Sequence, residues 1–235
     1  MTGSFTLVDP QALGDLQVFL GRAARVDEGS VRLIGSAGVL AIYVSVLHPA
    51  GLLDQSPTVL GLRTFALASK ATFDVVVPVR SLLARVDTAI EKSDGADGAD
   101  DADGSNGEPV TVSLPMGVNT VTWAAITPPR GGWVAIDTVP CEVLEHAARE
   151  GIDEVAEAVP SGVGEAIVHK VRAEVWGRPL DNPDYLPAGA GFAAVSLGFI
   201  ADEENASVYE SGAWTRVTTK RGHVLVKRRA WSVAR

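Results

Sequence analysis

The sequence predicts an α+β protein, with an antiparallel sheet and two helices in its first half and three helices plus a β-hairpin in its second. Three observations carry this. Apolar residues alternate along the early segments, most clearly at Leu40, Ile42, Val44 and Val46. From Pro140 the apolar period lengthens to that of a helix, through Val143, Leu144, Ala147, Ala148, Ile152, Val155 and Val159. Strand character returns at Ser207 and continues to Arg228.

A short strand near residue 4 opens the chain. Asp9-Pro10 then predicts a helix start, because the carboxylate can accept a backbone N–H and proline loses nothing at the first helical position. Leu13, Leu16, Leu20, Ala23 and Ala24 fall on one face of that helix. Strands are expected at Ser30 to Ile34 and Val39 to Leu47, joined by Gly35-Ser36-Ala37-Gly38. A second antiparallel pair is expected at Thr58 to Leu67 and Ala71 to Val77, closed by Pro78. Leu82, Leu83, Val86 and Ile90 form a helical stripe.

Residues 93–108 carry six acids among small and polar residues and no large apolar one, so they predict a disordered acidic loop. Asp101, Asp103 and Gly104 imitate part of a calcium loop, but Ala99 and Val110 stand where its first and twelfth ligands belong. Three more strands are expected at Val110 to Leu114, Asn119 to Ile126 and Trp133 to Asp137. Helices follow over Pro140 to Val159 and Gly164 to Trp176. Ala188 to Ile200 reads as helix or buried strand, its three glycines weakening the helical reading. Ser207 to Glu210, Trp214 to Thr219 and His223 to Arg228 complete the hairpin region, which turns at Lys220-Arg221-Gly222. The division into domains is expected at 137/138, giving 1–137 and 138–235.

The order strand, helix, four strands, helix, three strands over residues 4–137 resembles one domain of a sliding DNA clamp. The step Phe73-Asp74-Val75-Val76-Val77-Pro78 into Val79-Arg80-Ser81-Leu82-Leu83 is similar to the entry into that domain's second helix. Encirclement of DNA does not carry over, since residues 1–92 hold eight acids and eight bases. Three helices and a basic hairpin over 138–229 resemble a winged-helix domain. That resemblance implies a third helix that reads DNA, yet Ala188 to Ile200 has no Lys, Arg, Asn or Gln for base edges. The whole chain also resembles an uncharacterised actinobacterial protein family through Pro129-Arg130-Gly131-Gly132-Trp133 and Arg221-Gly222-His223-Val224-Leu225-Val226, which implies no function.

With 235 residues, 46% hydrophobic, the chain can bury a large core. Its single cysteine, Cys141, fits a reducing compartment, and its apolar stretches fall short of a membrane span, so a cytoplasmic protein without membrane contact is expected. No nucleophile elbow, phosphate loop or dinucleotide fingerprint occurs, and no cofactor is expected. His146 and Glu150 are four apart, with His169 as a conceivable third metal ligand, but a solvated helical face explains them as well. No metal site is assigned, and an enzyme with an unfamiliar site near His146, His169 or Arg130 is the weakest alternative.

Charge is the informative feature. The chain has net charge −9, yet no acid follows Glu210, and the last stretch holds Arg216, Lys220, Arg221, Lys227, Arg228, Arg229 and Arg235. Asp137 to Glu210, in contrast, holds fifteen acids against four bases. Such segregation orients an anionic partner or docks the hairpin on the acidic helices. Trp214 and Arg216 alternate on one strand face, and Arg130 lies near Trp133 in a Pro/Gly turn. The expected binding residues are therefore Trp214, Arg216, Lys220, Arg221, Lys227, Arg228, Arg229, Arg130 and Trp133. The expected partner is another protein, with non-specific nucleic-acid binding through the same hairpin as the alternative.

Overall fold

The computed structural model describes residues 3–27, 29–51, 53–96, 110–118, 121–159, 164–201 and 204–227. It is a mixed structure of five helices and a large antiparallel sheet, and the chain divides into two units. One unit comprises Met1–Val44 with Arg63–Ala124, the other Ser45–Leu62 with Ala125–Arg235. The boundary expected at 137/138 lies inside a strand, Val134–Pro140.

The first unit opens with β1 (Ser4–Thr6) and α1 (Pro10–Val26). Asp9 caps α1 as predicted, its Oδ1 accepting from the Gln11 N–H at 2.8 Å. Strand β2 (Ser30–Ser36) pairs antiparallel with β3 (Val39–Leu47), and Ala37 and Gly38 turn the hairpin with positive φ values of 52° and 81°. Strand β4 (Thr58–Ala66) was expected to pair with β5 (Phe73–Pro78), but β5 pairs with β2 instead. The salt bridge and double hydrogen bond from Arg32 on β2 to Asp74 on β5 fix that pairing, and Arg32 also donates to the Ala124 carbonyl at 2.7 Å.

Helix α2 (Val79–Ala96) buries Leu82 and Val86, and α1 buries Leu16, Phe19 and Leu20 against it. Because α2 continues to Ala96, residues 93–96 of the expected acidic loop are helical. Residues 97–108 of that loop lie outside the described residues. Strand β6 (Thr111–Ser113) pairs with β1. The strand expected at Asn119 to Ile126 is replaced by a 3₁₀ turn, Thr122–Ala125, in which neighbouring Trp123 and Ala124 are both buried. Burial of adjacent residues defeats the alternation a half-buried strand requires.

In the second unit the strand order runs β4, β10 (His223–Lys227), β9 (Trp214–Thr218), β8 (Asn205–Ser211), β7 (Val134–Pro140). All four pairings are antiparallel. The hairpin is therefore no free wing: β10 has β4 on its other side and β8 has β7, so the winged-helix arrangement is not what these strands form. Val208, Val217, Val224 and Val226 are all buried, and strands buried in this way satisfy the backbone groups of both edges by pairing on both sides.

Helices α3 (Cys141–Ala158), α4 (Glu165–Gly177) and α5 (Ala188–Ser196) complete this unit. Ala188 to Ser196 is helical, and the glycines that weakened that reading explain it. An added Cβ at Gly191 would collide with the Leu144 backbone of α3, and one at Gly189 would come 2.9 Å from the Trp176 carbonyl of α4. Small residues here allow three helices to approach closely. Phe192 stacks on Trp176 with ring centroids 4.3 Å apart.

Candidate functional site

Cross-strand register decides which side chains share a face. Ala135, Tyr209, Arg216 and Leu225 stand opposite one another across β7, β8, β9 and β10, and Glu210, Thr215 and Val226 form the next row. Since successive residues point to opposite sides of a sheet, Tyr209 and Arg216 lie on one face and Glu210 on the other. None of the residues that alternation places on the Arg216 face of β8, β9 and β10 is acidic.

The turn before β7 adds an aromatic ring to this face. Gly132 has φ +74°, a left-handed conformation suited to glycine, and Ser211 Oγ donates to the Gly131 carbonyl at 3.3 Å, tying the turn to the end of β8. Trp133 Nε1 donates back to the Pro129 carbonyl at 3.2 Å, which fixes the indole. The guanidinium carbon of Arg216 consequently stands 4.6 Å from the Trp133 ring centroid and 4.6 Å from that of Tyr209.

Two aromatic rings stabilise this cation, but its Nε is sealed from solvent without a hydrogen-bond partner. Among the described residues no carboxylate pairs with Arg216. Burial draws its pKa below the ordinary arginine value, a pull that the Tyr209 hydroxyl opposes. Next to it, His223 accepts or donates through Nδ1 to Thr218 Oγ1 at 3.1 Å. Burial first, and the Arg216 charge second, push the imidazole down to about 4, so it is neutral at neutral pH.

The structure thus joins two sequence candidates, the Arg130/Trp133 turn and the Trp214/Arg216 strand, through one contact. Trp214 itself is buried, 6% exposed, and packs rather than presenting a surface. Lys220 and Arg221 are exposed at the β9–β10 turn, Lys227 at the end of β10 and Arg130 in its own turn. Arg228 and Arg229 lie outside the described residues. Internal docking of Arg216, Arg221 or Lys227 onto Glu142, Asp153 or Glu157 does not occur among the described residues. Tyr209 escaped the sequence reading, although its place one strand across from Arg216 was implied by alternation once the hairpin was extended by β8.

The residues weighed for a metal do not converge. His146 Nε2 is 3.2 Å from Glu150 Oε1 on exposed α3, whereas His169 faces His48 edge-on at 6.3 Å. Among the described residues no group of three His, Cys, Asp or Glu is placed to hold a metal. Cys141 is buried at the start of α3. A groove of about 400 Å³ in this unit has an apolar floor including Val143, Ala147 and Leu180, and a rim formed by the His146–Glu150 and Arg178–Glu154 pairs. Glu154 of that rim is already paired with Arg178, and Glu150 lies against His146.

Residues 1–103 match a family model described as a domain of unknown function, DUF8010, and residues 128–231 match a second, DUF8185. No curated protein matches the chain. Among solved structures, the DnaN sliding clamp, DNA polymerase III subunit beta, from Bartonella birtlesii is similar, with TM-score 0.50 and 12% identity over 98% of this chain and 66% of that one. A putative DNA polymerase III beta subunit from Eubacterium rectale gives TM-score 0.48 and 8% identity over 99% and 66%. The DNA polymerase III subunit beta from Pseudomonas aeruginosa gives 0.45 and 12% over 100% and 66%. The chain spans just under two thirds of the length of these clamps, and at such identity the likeness is one of fold: this is a chain with a sliding-clamp-like fold, matched along most of its length by two domain families of unknown function.

Proposed function

We propose that this is a non-enzymatic, cytoplasmic, macromolecule-binding protein that engages another protein through the Arg216 face of its C-terminal hairpin, the two family-matched segments acting as separate modules. The observation that carries the reading is a guanidinium over two aromatic rings, its Nε sealed from solvent, with no carboxylate paired to it among the described residues. Folding alone gains little from such a group, because a sealed Nε without a partner costs about 1–3 kcal/mol. Arginine and aromatic residues so placed are the usual energetic centres of protein interfaces.

Charge on the other elements argues for a protein partner over nucleic acid. Helix α3 presents exposed Glu142, Glu145, Glu150, Asp153 and Glu157, which disfavour a polyanion as extended as nucleic acid, whereas a short protein segment can meet the Arg216 face alone. No described helix is long and apolar enough to cross a membrane.

The test compares wild-type protein with Arg216→Gln by affinity capture from the native host, alongside anisotropy with labelled DNA and RNA. Loss of one identified protein from the variant supports the reading. Tight, salt-sensitive nucleic-acid binding lost in the same variant reverses it in favour of nucleic acid. Ending the chain at Glu210 is no substitute, since it removes β9 and β10 from the middle of the strand order.

A further inference from the structure

The spacing of the cations on this face says what kind of segment it accepts, an inference that rests on the protein-binding reading above. Lys227 stands opposite Trp214, two residues along from the Arg216–Leu225 row, and points to the same side of the sheet. At about 3.3 Å per residue the two rows are about 7 Å apart, the repeat of alternate side chains on an extended chain. Beyond the Thr218–His223 row, Arg221 projects from the β9–β10 turn at the other end. Among the described residues, Arg216, Arg221 and Lys227 have no carboxylate partner.

Arg216 is the most constrained of the three. Its guanidinium lies over the Trp133 and Tyr209 rings, with Nε sealed, so recognition falls to the two terminal nitrogens. Two parallel N–H donors match a planar carboxylate in a bidentate pair. One face of each ring is already taken by Arg216, which removes stacking surface that unpaired bases would need.

We propose that this face receives an acidic segment of the partner protein in extended conformation, with carboxylates at alternate positions. One carboxylate is bound by the terminal nitrogens of Arg216, the next alternate one in one direction is drawn to Lys227, and in the other direction a carboxylate beyond the Thr218–His223 row is drawn to Arg221. The neutral His223 adds no charge, and Thr218 offers a hydroxyl between Arg216 and the turn. A bidentate pair at the centre supplies register, while the flanking cations supply salt-dependent attraction.

The experiment uses the full chain and a fluorescein-labelled peptide of alternating Thr and Glu, its Thr/Gln counterpart, and a labelled single-stranded DNA of matched length. Anisotropy at low and moderate salt is expected to show binding of the Glu peptide at least tenfold tighter than the Gln peptide or the DNA. Arg216→Lys, which keeps the charge and loses the fork, is expected to weaken the Glu peptide tenfold or more. The exposed double variant Arg221→Gln with Lys227→Gln is expected to weaken it several-fold and flatten the salt dependence. It decides the matter if Arg216→Lys fails to fold.

Equal binding of Glu and Gln peptides, tighter DNA binding, or unchanged affinity in both variants overturns the inference. If the acidic peptide fails while the native partner is still lost from Arg216→Gln, the acidic segment is wrong and the protein-binding reading stands. If neither depends on Arg216, both fall.

Discussion

The ring of Phe199 lies so close over Gly222 that a Cβ there would overlap it, and this contact fastens the basic hairpin turn to the segment that follows α5. Thr219 Oγ1 completes the fastening, within 2.9 Å of the Phe199 carbonyl and 3.2 Å of the Gly222 carbonyl, donating to one at a time. Gly222→Ala is expected to lower stability by about 1–3 kcal/mol through overpacking. Thr219→Val is expected to cost about 0.5–1.5 kcal/mol by removing the hydrogen bond its hydroxyl donates, together with the one the hydroxyl accepts from the Arg221 N–H at 3.3 Å. Urea denaturation of both variants checks this, and a loss below about 0.5 kcal/mol for both would mean the turn is not held.

Glycines elsewhere separate by environment. Gly151 on α3 faces the Trp176 ring, where an added Cβ would collide, while Gly14 and Gly21 on α1 have open space around theirs. Gly151→Ala is therefore expected to destabilise by about 1–3 kcal/mol. Gly14→Ala and Gly21→Ala are each expected to stabilise by about 0.5–1 kcal/mol, through helix propensity. Thermal melts of the three variants should move in these opposite directions.

The His223 imidazole makes stability depend on pH in a stated window. Its folded value of about 4 lies below the ~6.5 of an unfolded chain, so between the two the unfolded state binds more protons. Stability contributed by this group is whole above about pH 6.5, falls as pH is lowered, and levels off below about pH 4. The loss is on the order of 1–3 kcal/mol, reduced by partial solvent access. His223→Asn, measured by urea denaturation across that range, should show a flatter profile; an unchanged slope would place the pH dependence elsewhere.

Arg216 is expected to be poor for stability and necessary for binding. Cation–π contacts to two rings contribute about 0.5–2 kcal/mol each, offset by the desolvated, unpaired Nε. Arg216→Met should therefore stay within about 1 kcal/mol of wild type in urea denaturation while losing the partner. A loss of several kcal/mol would mark the residue as structural.

Much of the secondary structure was legible because its signals are local. The Asp9-Pro10 cap, the stripes of α1 and α2 and the alternation of β3 each lie within one element. Strand partners were not: β5 pairs with β2 rather than its sequence neighbour β4, because pairing is settled by long-range packing. The glycines of α5 read as helix breakers, yet they serve the close approach of α3 and α4, which only the assembled unit reveals. Similarly, Trp133 and Arg216 were singled out separately. Their meeting depends on β8 bridging β7 and β9, and that bridge also delivers Tyr209.

Photo-crosslinking from this face tests the account most directly. A benzophenone side chain placed at Thr218, on the Arg216 side of β9 and half-buried, should form a covalent adduct with one protein in the native host. That adduct is predicted to vanish when Arg216→Gln is added and to persist when Arg85→Gln is added on α2. No protein adduct at Thr218, or the same adduct with Arg216→Gln present, would contradict it.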